Sequence, residues 1–103
     1  MPREHERIPF LMEIILESAS GKREARISDI STEGCYVDSI VTPRDEEIVA
    51  FEIVRPNGDS MKFTGKVAYI LEGFGFGMQF TDLSDAMKTF LDEIIRIRKE
   101  SET

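Results

Sequence analysis

Apolar residues in this chain recur mostly at every second position, a spacing that predicts β-strands. Phe10, Met12, Ile14 and Leu16 share one face, with Glu13 and Glu17 on the other. Leu11 and Ile15 leave that outer face only partly polar, so a covering element is expected there. Ser18 to Lys22 reads as a turn, and a second strand carrying Ala25 and Ile27 runs to about Ser28. A third strand holds Cys35 and Val37, and a fourth holds Val49, Phe51 and Ile53. Asn57-Gly58 is a hairpin signal. The fifth strand places Met61, Phe63, Gly65, Val67, Tyr69 and Leu71 on one face, opposite Lys62, Thr64 and Lys66. After a turn at Glu72-Gly73, the sixth puts Phe74, Phe76, Met78 and Phe80 opposite Gly73, Gly75 and Gly77. Glycines lined up on one face weaken a strand unless a helix, a barrel bend or a ligand lies close against them.

The period then changes. Met87, Phe90, Leu91, Ile94 and Ile97 form a stripe at helical spacing, widened by Ile95. Ser84 can cap the helix, Asp85 suits its first turn, and Arg96, Arg98 and Lys99 suit its last. The stripe reads as the face packed on the sheet. Six short strands with hairpin-type links and one trailing helix predict a mostly β fold, a six-stranded antiparallel barrel with a C-terminal helix. Closure would remove the exposed edges of the sheet. The expected organisation is an arm over residues 1–9, a barrel over 10–82 and a helix over 83–100.

Composition narrows the function. A chain of 103 residues with 41% hydrophobic content builds one domain around one modest core. The net charge of −7 argues against DNA, RNA or an anionic membrane as partner, since each needs a broad basic surface. It leaves room for a small anionic ligand, because screening over about 8 Å lets a local arginine pair dominate its own surroundings. No apolar run is long enough for membrane insertion, and the first residues lack the apolar centre of a signal peptide. The single cysteine, Cys35, allows no internal disulfide. These features together lead us to expect a cytoplasmic setting.

The candidate chemistry lies in two places. Asp29, Ser31 and Gly34 interrupt the alternation between the second and third strands, as Asp-x-Ser-x-x-Gly. Asp and Ser bond their own local backbone, and Gly gives conformational freedom, so a tight turn accounts for the segment by itself. Arg3 and Arg7 stand four apart in the charged leading segment. No catalytic group is expected, because Ser31 has only His5 as a possible base. One Cys and one His make no metal site, and no cofactor is called for. Cys35 reads as a small buried hydrophobe and His5 as an exposed arm residue.

Taken together, Arg3-x-x-x-Arg7 before the first strand, Asp29-x-Ser31-x-x-Gly34 between the second and third, and Gly75-Phe76-Gly77-Met78-Gln79-Phe80 ahead of the helix resemble the PilZ domain over essentially the whole chain. The resemblance implies a non-enzymatic bacterial receptor for cyclic di-GMP on a six-stranded antiparallel barrel. It further implies that Arg3, Arg7, Asp29, Ser31 and Gly34 hold the ligand and that the signal passes to a protein effector. The residue types suit that ligand. Arginine forks onto phosphate or onto guanine O6 and N7 and stacks on bases. Asp29 can accept from the guanine N1–H and N2–H₂, Ser31 can donate to phosphate or accept from a base edge, and Gly34 admits a close approach. The arm is then expected to be loose without ligand and to wrap onto the barrel with it. The rival expectation is an adaptor on the same fold that binds a protein and no nucleotide.

Overall fold

The computed structural model describes residues 8–19, 21–39, 43–44, 46–54 and 58–101. Arg3, His5 and Arg7, with Asn57 of the expected hairpin, lie outside the described residues. Six strands follow one another: β1 (Ile8–Ser18), β2 (Gly21–Ile30), β3 (Gly34–Asp38), β4 (Ile48–Val54), β5 (Ser60–Leu71) and β6 (Gly75–Thr81). One helix, α1 (Asp85–Ser101), ends the chain. The strands close into an antiparallel barrel in the order β1-β2-β3-β6-β5-β4, the predicted architecture.

Alternation supplies the core. Ile14, Leu16, Ile27, Val37, Phe51, Ile53, Phe63, Val67, Phe76 and Met78 all turn inward and are buried. Phe63 is central: its ring lies 6.1 Å from that of Phe51, 5.4 Å from Phe80 and 5.9 Å from Phe90. Phe90 belongs to α1, so the helix closes the barrel with an aromatic contact and buries Leu91 and Ile94 beside it. The helix begins where Ser84 Oγ accepts the Met87 N–H at 3.2 Å, an N-cap satisfying one otherwise orphaned donor. In the last turn the Arg98 guanidinium lies 5.5 Å from the centre of the Phe10 ring. Ile97 departs from the expected stripe and stands 47% exposed, one turn beyond the packed face.

Three register shifts break the period-two pattern. β1 gains a residue against β2 between Pro9 and Met12. β2 gains one against β3 between Ile27 and Asp29, and β5 gains one against β6 between Val67 and Tyr69. An extra residue reverses the faces of everything beyond it. Tyr69 and Leu71, expected inside with Val67, are therefore outside, while Ile70 turns toward the core. Phe74, expected in line with Phe76, sits in the β5–β6 turn and is 73% exposed. That turn closes through a bond from the Phe74 N–H to the Leu71 carbonyl at 3.0 Å, with Gly73 at φ 82°. Leu11 and Ile15 remain open on the outer face of β1.

Candidate functional site

The β2 bulge decides where the Asp29 carboxylate points. Strict alternation from the buried Ile27 would turn Asp29 into the core. With Ser28 as the extra residue, Ile27 pairs with Val37 and Ile30 with Cys35, both inward, and Asp29 pairs with Tyr36 on the outer surface. On its other side Asp29 pairs with Pro9 of β1, two residues after Arg7. The bulge thus sets one acid on the barrel exterior beside the strand that the arginine-bearing segment leads into.

Ser31 and Gly34 have a different environment. Ser31 is the one buried polar residue of the described core, 3% exposed. Its hydroxyl accepts the Glu33 N–H at 3.1 Å and the Gly34 N–H at 3.2 Å, and donates to the Gly34 carbonyl at 3.3 Å. The Ser31 N–H also reaches the Gly34 carbonyl, at 2.8 Å. The side chain is committed to the loop it stands in, an arrangement that pins β2 to β3. Gly34 pairs with Gln79 of β6, and a Cβ there would collide with the Met78 carbonyl. A neighbouring strand, packed close, accounts for that glycine. Of the three described residues, the structure turns Asp29 outward and uses Ser31 and Gly34 to build the corner beneath it.

Beyond Asp29 the outer surface carries two aromatic rings. Tyr36 pairs with Gly77 of β6, and Gly77 pairs in turn with Tyr69 of β5. A Cβ on Gly77 would run into the Tyr69 ring, which lies down over that glycine. This is what presses on β6 at Gly77; at Gly75 it is the Val37 carbonyl, and nothing lies against Gly73. The two rings stand 6.3 Å apart between centroids and are tilted by 30°. Partial burial pushes the Tyr36 phenol above its ordinary 10.0; the Asp38 carboxylate, the Tyr69 phenol and the Asp29 carboxylate push it the same way. Two pairs along, on the same outer face, the Arg26 guanidinium meets Asp38 at 3.2 Å, so that arginine is already engaged. Sequence reasoning passed over Tyr36 and placed Tyr69 inside. The glycine alternation in β6 carried the signal, because it required something to lie against the strand.

An open groove of about 880 Å³ borders this surface at Arg26 and Asp38 and is lined further by Glu13, Glu17, Arg23 and Glu52 among others. It contains none of Asp29, Ser31 and Gly34, and its walls mix both signs of charge. Among the described residues no helix is long and apolar enough to cross a membrane.

A closed six-stranded antiparallel barrel capped by one C-terminal helix, with a serine-pinned corner between β2 and β3, defines a small β-barrel module. The family model for the PilZ domain matches residues 2–96, and the chain belongs to that family. Three solved structures share the fold. The inhibitor of motility MotI/DgrA of Bacillus subtilis superposes with a TM-score of 0.83 at 12% identity, over 100% of this chain and 53% of that one. The PilZ domain of CeSA from a cellulose-synthesising bacterium gives 0.71 at 15% identity, over 91% of this chain and 98% of that one. PlzA of Borreliella burgdorferi, solved in complex with c-di-GMP, gives 0.68 at 18% identity, over 88% of this chain and 40% of that one. This chain therefore spans about half of the MotI/DgrA chain and less of PlzA. No curated protein matches it in sequence.

Proposed function

We propose that this chain is a receptor for cyclic di-GMP, which it binds on the outer face of β2 and β3, and that binding is relayed to a protein effector. The observation that carries this reading is the bulge that turns Asp29 outward beside Pro9, at the root of the segment holding Arg3 and Arg7. In this reading Asp29 accepts from the donor edge of a guanine. Arg3 and Arg7 close over the ligand from the leading segment, pairing with its phosphates or stacking on its bases. Ser31 and Gly34 fix the corner so that Asp29 is held rather than searching. The family membership and the c-di-GMP complex of PlzA support the ligand's identity. Ile8 and Pro9, expected in the arm, already pair with β2, so the segment ahead of Ile8 acts as the moving part and the barrel with its helix as the fixed one. The relay is then an ordering of the arm on the barrel, whose changed surface the effector reads.

Calorimetry with cyclic di-GMP tests this. Heat of binding that is lost in Arg7→Ala and Asp29→Ala, with greater hydrogen-exchange protection of residues 3–7 in the complex, is the expected result. Equal protection of those residues with and without ligand would remove the switch. A second reading, an adaptor that binds protein and no nucleotide, draws on the corner itself. Ser31 and Gly34 are both accounted for by the fold, and would be needed in a PilZ domain that had no ligand. No heat and no thermal shift with cyclic di-GMP would favour the adaptor.

A further inference from the structure

We infer that Tyr36 and Tyr69, lying on either side of Gly77, form an aromatic floor on which a guanine base of the ligand stacks while Asp29 pairs with its edge. This inference rests on the receptor reading above and assigns two residues that the recognition motifs leave out.

The argument begins with the row of cross-strand pairs. Asp29 faces Tyr36, Tyr36 faces Gly77, and Gly77 faces Tyr69, so four neighbouring strands each contribute one outward position. Neighbouring strands lie about 4.8 Å apart, which sets the row at roughly 14–15 Å from end to end. A carboxylate occupies one end and two rings cover the rest. The rings are 6.3 Å apart and tilted by only 30°, so they present faces turned broadly the same way. Gly77 makes this possible, since any side chain there would lift the Tyr69 ring off the backbone. The β5 bulge is equally necessary, because without it Tyr69 would point inward with Val67.

Cross-strand packing alone explains why an aromatic ring shields a glycine. It explains Tyr69, but gives no reason for a second ring opposite the same glycine, next to an outward acid and partly open. Tyr69 itself is 40% exposed. A fused purine needs a flat apolar floor for its face and, in guanine, an acceptor for its N1–H and N2–H₂ edge. The row supplies both in one line. Adenine has no donor pair at that edge, so Asp29 would discriminate against it.

The chain contains two tyrosines and no tryptophan, so its intrinsic emission comes from these two rings. Cyclic di-GMP should quench tyrosine emission with the same midpoint as the calorimetric isotherm, after correction with free tyrosine at matched absorbance. Tyr36→Leu and Tyr69→Leu should each weaken binding by roughly five- to a hundredfold, the range for loss of one stacked base. Tyr36→Phe and Tyr69→Phe should stay within about threefold, because they keep the stacking face. The phenylalanine variants also guard against misfolding, and melting curves should leave every variant folded at the assay temperature. Cyclic di-AMP should bind far more weakly. If wild-type protein binds with heat and Arg7→Ala abolishes it, while emission is unchanged and the leucine variants bind normally, the floor is wrong and the receptor reading stands. If wild-type protein gives no heat, both fall together.

Discussion

At the scale of single residues, Ser31 and Asp29 share a motif and have opposite tasks. The Ser31 hydroxyl satisfies the buried Gly34 N–H and the part-buried Glu33 N–H, so truncating it strands at least the first. Stranded buried donors cost about 1–3 kcal/mol. Ser31→Ala should therefore lower the unfolding free energy by that much, read as an earlier denaturant midpoint, and any loss of ligand affinity should follow from a loosened corner. Asp29 is outside the core, so Asp29→Asn should cost less stability than Ser31→Ala, while calorimetry shows cyclic di-GMP binding weakened. A third residue gives a pH signature. The Tyr36 phenol titrates higher in the folded chain than its ordinary 10.0, mainly through burial and then through Asp38. A raised folded value means the folded state holds that proton more tightly than the unfolded state does. The resulting stability is fully present below pH 10.0 and is lost as pH rises through the folded value. Melting curves of the wild type and Tyr36→Phe should run parallel at neutral pH. Above about pH 10 the wild type should fall away faster, and parallel curves there would mean the phenol has no such preference.

At the scale of elements, alternation carried most of the fold and the bulges carried most of the site. Phe51, Phe63, Phe76 and Met78 face inward because period two says so, and the core was legible for that reason. The helix was legible too, since Ser84 caps it and Phe90, Leu91 and Ile94 fall on one side of a 3.6-residue repeat. The faces of Asp29 and Tyr69 were not. Each lies just beyond a one-residue insertion, at Ser28 and Ala68, and no residue there has a composition that forces a bulge. The bulge is fixed by what it avoids. Without the first, a carboxylate would enter an apolar barrel, and without the second, Tyr69 would displace Ile70 from the interior. Such choices are made by the packed whole and leave little local trace. The motif was legible as a corner, but the division of labour within it was not, because a Ser that binds a ligand and a Ser that binds its own loop look alike in a string of letters.

At the scale of the whole molecule, the barrel is closed but not evenly so. β1 pairs with β2 from Ile8 to Ser18, and β4 pairs with β5 along its full length from Ile48 to Val54. Between β4 and β1 the register pair among the described residues is Glu17 with Ala50. One side-chain pair reaches across this seam, the Glu17 carboxylate with Lys62 of β5 at 3.7 Å, while on its other side Glu17 meets Lys22 of β2 at 4.0 Å. Both lysines are well exposed, and ion pairs of that kind contribute at most about 1 kcal/mol. The seam is thus where local opening costs least, whereas β3 is paired on both sides, to β2 and to β6, through Val37. Native-state hydrogen exchange should follow this unevenness. Amides of β4 directed toward β1 should exchange through local opening, well before those of β3, which should wait for global unfolding. High salt should change the difference little, because register and not the Glu17 pairs limits the seam. Equal protection of β4 and β3 would mean that the barrel opens as one unit. The face bearing Asp29, Tyr36 and Gly77 lies on β2, β3 and β6, the doubly paired side. A ligand there would meet a surface that stays formed while the opposite wall breathes, and its binding should leave the exchange of β4 unchanged.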